Sequence, residues 1–235
     1  MQITLGIISG ILISFTAWKL GSLSVSGAIG ASIVGSLIFG LGGFAWGIQL
    51  LAFFITSSLL SKFFREKKSG FHEKFAKGNQ RDWAQVFANG GIGSFLVIIF
   101  SLNSDSNWIW YAYLGAIAAV NADTWATEIG VFSPSRPRLI TNGKVVEPGT
   151  SGGISTLGLS TSLAGSALIA LTGMVFTPAT ERLPLALAIT VAGFLGSLFD
   201  SFLGATIQTI YLCPVCKKET ERHPSHSCGA KTYQV

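Results

Sequence analysis

Charge is scarce in this 235-residue chain: Asp, Glu, Lys and Arg together make up only 11% of it. Soluble domains carry about 25%, so the composition excludes an ordinary water-soluble fold. Cysteine is also scarce. The only three, Cys213, Cys216 and Cys228, lie near the C-terminus, which excludes a disulfide framework running through the molecule. The first apolar stretch has no basic start and no small-x-small cleavage site, and Lys19 follows it. It therefore reads as a retained helix rather than a cleaved signal peptide. No internal period of 20–50 residues and no low-complexity tract stands out.

What fills the chain is apolar. Hydrophobic residues make up 49%, Gly contributes 28 residues, and the mean hydropathy is +0.54. A membrane helix needs about 20 apolar residues. Such runs recur near 2–18, 23–42, 44–63, 83–101, 108–132, 153–176 and 184–212. The expected fold is an all-α polytopic membrane protein with about seven transmembrane helices over 1–212, followed by a Cys/His tail over 213–235. With seven passes, alternate loops collect all of the 16 Lys and Arg except Arg182 on one side. The positive-inside rule then puts the N-terminus outside and the tail in the cytoplasm. The net charge of +5 reflects this asymmetry. Nucleic-acid binding is not implied, because the basic loop 62–81 has only phenylalanine for aromatics and no recognised module.

Three acids sit inside apolar runs: Asp123 and Glu128 in 108–132, and Asp200 in 184–212. Each costs roughly 2.5–3.5 kcal/mol at the centre of a membrane helix, so such residues usually face a protein interior or wet cavity and hold a cation, proton or cationic partner. On a regular helix Asp123 points about 140° away from Glu128. Either the helix breaks near Asn121, or one acid binds a ligand while the other braces a neighbouring helix. Asn121, Thr124 and Glu128 share a face. Around the third acid, Gly193, Gly196, Asp200 and Gly204 line one helix face, with Ser197 beside them, so another helix could pack there and exclude lipid.

Other segments carry groups that suit phosphate, or else serve only in interhelical hydrogen bonds and as a flexible loop with a Ser/Thr helix cap. In GNQRDWAQVFANGGIG (78–93), Arg81, Gln85 and Asn89 fall within about 80° of one another and form a polar stripe suited either to phosphate or to interhelical hydrogen bonds. The loop 136–158 is rich in Gly and Ser/Thr over 149–156, carries Arg136, Arg138 and Lys144, and runs into a helix start with positive dipole character. It lacks G-x-x-x-x-G-K-[ST] and so is no P-loop. In the tail, C-P-V-C followed by His226 and Cys228 supplies the ligand types and number for tetrahedral Zn²⁺.

Taken together, GNQRDWAQVFANGG, NADTWATEIG, EPGTSGGIS and the tail CPVC…HSCG resemble the integral-membrane family that includes plant phytyl-phosphate kinase. The likeness covers nearly the whole chain, with the motifs in order. It implies phosphoryl transfer from a nucleoside triphosphate, CTP above all, to an isoprenoid monophosphate such as phytyl or geranylgeranyl phosphate, in tocopherol and quinone side-chain supply. Polyprenol kinases and phosphatidate cytidylyltransferases are more distantly similar. Relatives often continue past the tail into a further Trp- and Asn-Asp-containing segment, which bears on oligomeric state. The expected site has Asp123, Glu128 and Asp200 on Mg²⁺, and Arg81, Gln85, Asn89, Asn121, Thr127, Lys144, Gly149, Ser151, Gly152 and Gly153 on substrate or nucleotide. Cys213, Cys216, His226 and Cys228 are the expected Zn²⁺ ligands. The expected partners are the prenyl monophosphate, the nucleotide and the bilayer, with a homo-oligomer left open. The membrane would be a plasma or thylakoid-type membrane, with the site on its cytoplasmic side. Two other classes stay open: a secondary transporter, although no pairing of halves is visible, and a lipid-phosphate cytidylyltransferase. The D-G…A-R signature of CDP-alcohol phosphotransferases is absent.

Overall fold

A computed structural model of the protein describes residues 1–64, 80–104, 106–217, 219–220, 223–226 and 228–234. Most of the basic loop 62–81, with Asp105, Lys218 and Arg222, lies outside the described residues. Seven α-helices run through the described residues: α1 (Gln2–Lys19), α2 (Val25–Leu37), α3 (Phe44–Phe63), α4 (Trp83–Leu102), α5 (Asn107–Gly130), α6 (Thr156–Met174) and α7 (Arg182–Thr206). A π-helical turn, Ile38–Gly42, extends α2, and Gly43, at φ 81°, breaks the path before α3. Side chains mark several starts. Ser24 caps α2, Asp82 caps α4 and Ser155 caps α6, each accepting a backbone N–H three residues on.

Six of these helices, counting α2 with its π turn as one, are long and apolar enough to cross a membrane. The exception is α5, which carries Asn121, Asp123, Thr124, Thr127 and Glu128. Its shelter explains how it can be polar: α3, α4, α6 and α7 all pack around it. Its Ile109, Tyr113, Leu114, Ile117, Ala118, Asn121 and Ala122 are buried. The core joins them to Trp46, Phe53, Val97, Ile169 and Ile189, and the Tyr113 hydroxyl donates to the Trp46 carbonyl at 2.7 Å. Large apolar side chains such as Leu12, Leu59, Phe95, Leu171 and Leu187 point outward, as a lipid-facing surface requires. Small residues set the helix spacing. A Cβ on Gly193 would lie 2.2 Å from Ser166 Oγ and 2.8 Å from Ala118 Cβ, and one on Gly196 would lie 2.6 Å from Ala119 Cβ. Close backbone approach of this kind is the usual route to tight packing in a bilayer.

The passes alternate, so the α1–α2 turn shares one end of the bundle with the α4 and α6 starts and the α3, α5 and α7 ends. Arg81 ties that end together. Its N–H donates to the Ser22 carbonyl and its carbonyl accepts from the Ser24 N–H, both at 3.1 Å. Lys19, Lys62, Arg81, Arg136, Arg138 and Lys144 gather there, with Arg182 opposite.

Boundaries differ from expectation at three points. The helix expected over 108–132 ends at Gly130, where the chain turns. The run from 153 begins as a strand, β2 (Gly153–Ile154), paired antiparallel with β1 (Arg138–Leu139). The last helix ends at Thr206 rather than 212, because Tyr211–Leu212 forms β3, the central strand of a small sheet with β4 (Glu219–Thr220) and β5 (Tyr233–Gln234).

A candidate acid-lined phosphate site

Packing of α7 on α5 at Gly193 and Gly196 carries Asp200, one turn further along, up to Asp123. The two carboxyl groups lie close enough to interact electrostatically. Helix α6 holds both neighbours in place. Asn121 Nδ2 donates to the Gly165 carbonyl at 2.7 Å, and Ser166 Oγ donates to the Thr190 carbonyl at 2.8 Å. The acids open onto a cavity of about 280 Å³ that also holds Thr127, Ser162, Ser197, Ser201, Gln208 and the segment 148–155. Among the described residues, no Lys or Arg lines this wall. Two carboxyls brought together without a protein cation form a locus that attracts an external one.

The glycine-rich segment forms the facing wall. Gly149 and Gly152 adopt φ values of 82° and 74°, which ordinary side chains rarely reach. A Cβ on Gly152 would come within 2.4 Å of Ala205 Cβ, so this loop lies against the end of α7. Ser151 Oγ also donates to Gln208 Oε1. The segment then enters α6 through Ser155, whose hydroxyl lies 3.2 Å from the Gly130 carbonyl, closing the α5 end against the α6 start.

The structure divides the residues singled out in the sequence. Asp123, Asp200, Thr127, Gly149, Ser151, Gly152 and Gly153 line one cavity. Helix α5 runs unbroken to Gly130, so Glu128 turns toward another neighbour and accepts from Ser61 Oγ of α3 at 2.9 Å. Asn121 is fully buried as a brace. Its Oδ1 accepts from Thr56 at 3.3 Å and Ser57 at 3.4 Å. Arg81 donates from Nη1 to Ser58 Oγ at 2.9 Å and lies over the Phe53 and Phe54 rings at 5.7 and 5.6 Å. With Asn89 it borders a second, mostly apolar cavity among α1–α4, walled by Ile13, Leu23, Val34, Leu50, Phe53 and Phe54. Gln85 and Lys144 line neither cavity; Lys144 is exposed on the turn after β1, its N–H donating to Asn142 Oδ1 at 3.0 Å. Ser162, Ser201 and Gln208 are cavity residues that sequence reasoning missed. Ser201 adjoins Asp200 in sequence, a usable signal; Gln208 lies past the helix and offered none.

At the end of the chain, one donor atom each from Cys213, Cys216, His226 and Cys228 lies within 4.8 Å of the others. The Cys216 N–H points at Cys213 Sγ from 3.4 Å, and this bond holds the Cys213 thiol below the ordinary thiol range.

A family described as "Integral membrane protein DUF92" matches residues 8–234. The chain belongs to it. Among its relatives, "Protein PGR" of Arabidopsis thaliana is 38% identical over 239 residues, spanning 92% of this chain and 83% of the relative. An uncharacterized membrane protein of Methanocaldococcus jannaschii is 36% identical over 186 residues, spanning 79% of this chain and 75% of the relative. No solved structure matches. The protein is thus a multi-pass integral membrane protein of this family, and the names of these two relatives assign it no reaction.

Proposed function

We propose that the acid-lined cavity transfers a phosphoryl group from a nucleoside triphosphate, preferentially CTP, to an isoprenoid monophosphate. The observation that carries this reading is the facing pair Asp123 and Asp200, with no basic residue among the described residues of their wall and a glycine-rich segment opposite. The sequence resemblance to phytyl-phosphate kinases supports the same chemistry. Phosphoryl transfer asks a protein for positioning and charge neutralisation more than for covalent catalysis.

The donor set fits Mg²⁺, a hard cation that takes carboxylate oxygens while keeping water and phosphate oxygens. Asp123 and Asp200 would hold it, with the Thr127 and Ser201 hydroxyls nearby on the cavity wall. When bound, Mg²⁺ would draw the triphosphate oxygens together and offset their charge. The small residues of 149–153 let phosphate approach backbone closely, and the α6 start adds positive dipole character. Arg136, Arg138 and Lys144, on the same end of the bundle, raise the potential over the cavity mouth. A phosphate oxygen of the lipid substrate attacks the γ-phosphorus and the bond to the β,γ-bridging oxygen breaks. A nucleoside diphosphate leaves. Next to Asp200, Leu195, Phe199 and Phe202 face outward, so a substrate with an apolar tail can reach the acids from the bilayer. Asp123 and Asp200 are the catalytic residues on this reading. The basic end would be cytoplasmic, in a plasma or thylakoid-type membrane.

Purified protein given geranylgeranyl or phytyl phosphate, Mg²⁺ and each nucleoside triphosphate should yield prenyl diphosphate and nucleoside diphosphate in equal amounts, fastest with CTP. Release of pyrophosphate with a nucleotide–lipid adduct would instead make the protein a cytidylyltransferase. Substrate flux across proteoliposomes without nucleotide consumption would make it a transporter.

A further inference from the structure

The segment after α7 is too small to hold itself together by burial. Its sheet has three strands of two residues each, and isolated sheets of that size do not persist in water. Where an apolar centre would be, the tail buries Cys213 and His226, at 0% and 3% exposure. Both belong to the four-donor cluster.

The spacing of the donors is informative. Cys213 Sγ lies 3.6 Å from Cys228 Sγ, and His226 Nδ1 lies 3.3 Å from Cys228 Sγ. A disulfide would hold its sulfurs at about 2.05 Å. A tetrahedral Zn²⁺, with Zn–S about 2.3 Å and Zn–N about 2.0 Å, spaces sulfurs about 3.8 Å apart and sulfur from nitrogen about 3.5 Å apart. The observed separations fall close to the second pattern.

The backbone repeats itself around the cluster. After Cys213 and Cys216 comes Lys217, at φ 54° the one described non-glycine residue with positive φ, and its N–H donates to the Cys213 carbonyl at 2.8 Å. After His226 and Cys228 comes Gly229, at φ 84°, and its N–H donates to the His226 carbonyl at 2.9 Å. Each ligand pair therefore sits in a tight turn closed by a left-handed residue. The two turns present their donors to one point. His223 is placed apart, its ring stacked on Tyr211 at 4.5 Å.

We infer that Cys213, Cys216, His226 through Nδ1, and Cys228 form a tetrahedral structural Zn²⁺ site that folds the tail. Four protein ligands leave no open position, so the ion is structural rather than catalytic. The site has a second effect. Gln208, which accepts from Ser151 of the glycine-rich loop, lies just before β3, so a folded tail fixes one anchor of that loop. The inference does not rest on the kinase reading.

The full chain, purified in detergent under reducing conditions, should contain one zinc per chain by elemental analysis. Exchange with Co²⁺ should give the visible d–d and thiolate charge-transfer bands of a tetrahedral sulfur-rich site. Cys213→Ser and Cys228→Ala should lose the metal. His226→Cys should keep it with a shifted cobalt spectrum, which keeps the test open if the other variants misfold. Chelation should expose the tail to trypsin at Lys217 and Lys231 while the helices stay intact. Wild-type protein that neither carries zinc nor takes up cobalt would overturn the site, as would cysteine variants with unchanged metal content. Tail cleavage unaffected by chelation would overturn its structural role.

Discussion

The cavity among α5, α6 and α7 collects carboxyls and hydroxyls, whereas the cavity among α1–α4 is walled by aliphatic and aromatic side chains around Arg81 and Asn89. Both contain a charge that the bilayer penalises, and they treat it differently. Arg81 is satisfied by the protein: Ser58 accepts from it, and the Phe53 and Phe54 rings lie beside it. Asp123 and Asp200 face each other, with no Lys or Arg among the described residues of their wall. A satisfied charge stabilises helix packing, while a concentrated charge of one sign calls for something from outside.

The sharpest way to break this contrast is Asp123→Asn or Asp200→Asn. Each should lower prenyl diphosphate formation by roughly 100-fold or more, as expected when a group that stabilises transition-state charge is lost. Thermal unfolding in detergent should stay the same or rise, because a like-charge contact is relieved. Activity near wild type would remove both from the catalytic role. Next in size is Gly193→Val. Its new methyls meet Ser166 and Ala118, and overpacking of this kind costs about 1–3 kcal/mol, readable as a lowered unfolding temperature together with loss of turnover. Arg81→Lys should act mainly on stability, by about 1 kcal/mol for the lost bond to Ser58, with turnover falling less than in the aspartate variants. A turnover loss equal to theirs at unchanged stability would move Arg81 into the phosphate site. Gln208→Ala removes the link to Ser151 and should cost several-fold in turnover at most. The smallest effect on turnover is expected for Glu128→Gln, whose amide oxygen still accepts from Ser61, while the loss of its charge near Arg81 should lower stability. Near-wild-type activity there, beside an inactive Asp123→Asn, would separate the two acids of α5.

Those two acids also mark how far the sequence could be read. An acid in an apolar run is visible whatever its partner, so Asp123, Glu128 and Asp200 stand out equally. The 140° offset expected between Asp123 and Glu128 on a regular helix left two readings, a helix broken near Asn121 or one acid bracing a neighbour, and the unbroken α5 leaves the second. Which one did so was decided by Ser61 and Asp200, from two other helices, and periodicity gives faces rather than neighbours. The stripe Arg81, Gln85 and Asn89 was legible as a stripe, but the side of the bundle it faces depends on the α1–α2 turn. Helix number and order follow from run length. The strands β1–β5 do not, because two residues carry no alternation to detect. The ligand cluster of the tail was readable because C-x-x-C is local, whereas the matching turn at Gly229 required coordinates.

The clasp of Arg81 by Ser22 and Ser24 has a consequence for how the chain is made. Synthesis runs from the N-terminus, so the α1–α2 hairpin leaves the ribosome well before Arg81 does. A Cβ on Gly27 would lie 1.9 Å from the Arg81 carbonyl oxygen, so the receiving turn is shaped to that one strand of backbone. The seat for the α4 start thus precedes α4 along the chain and is synthesised before the backbone it receives. A shortened chain that begins at α3 would keep every acid of the polar cavity and still lose the seat from which α4 is aligned.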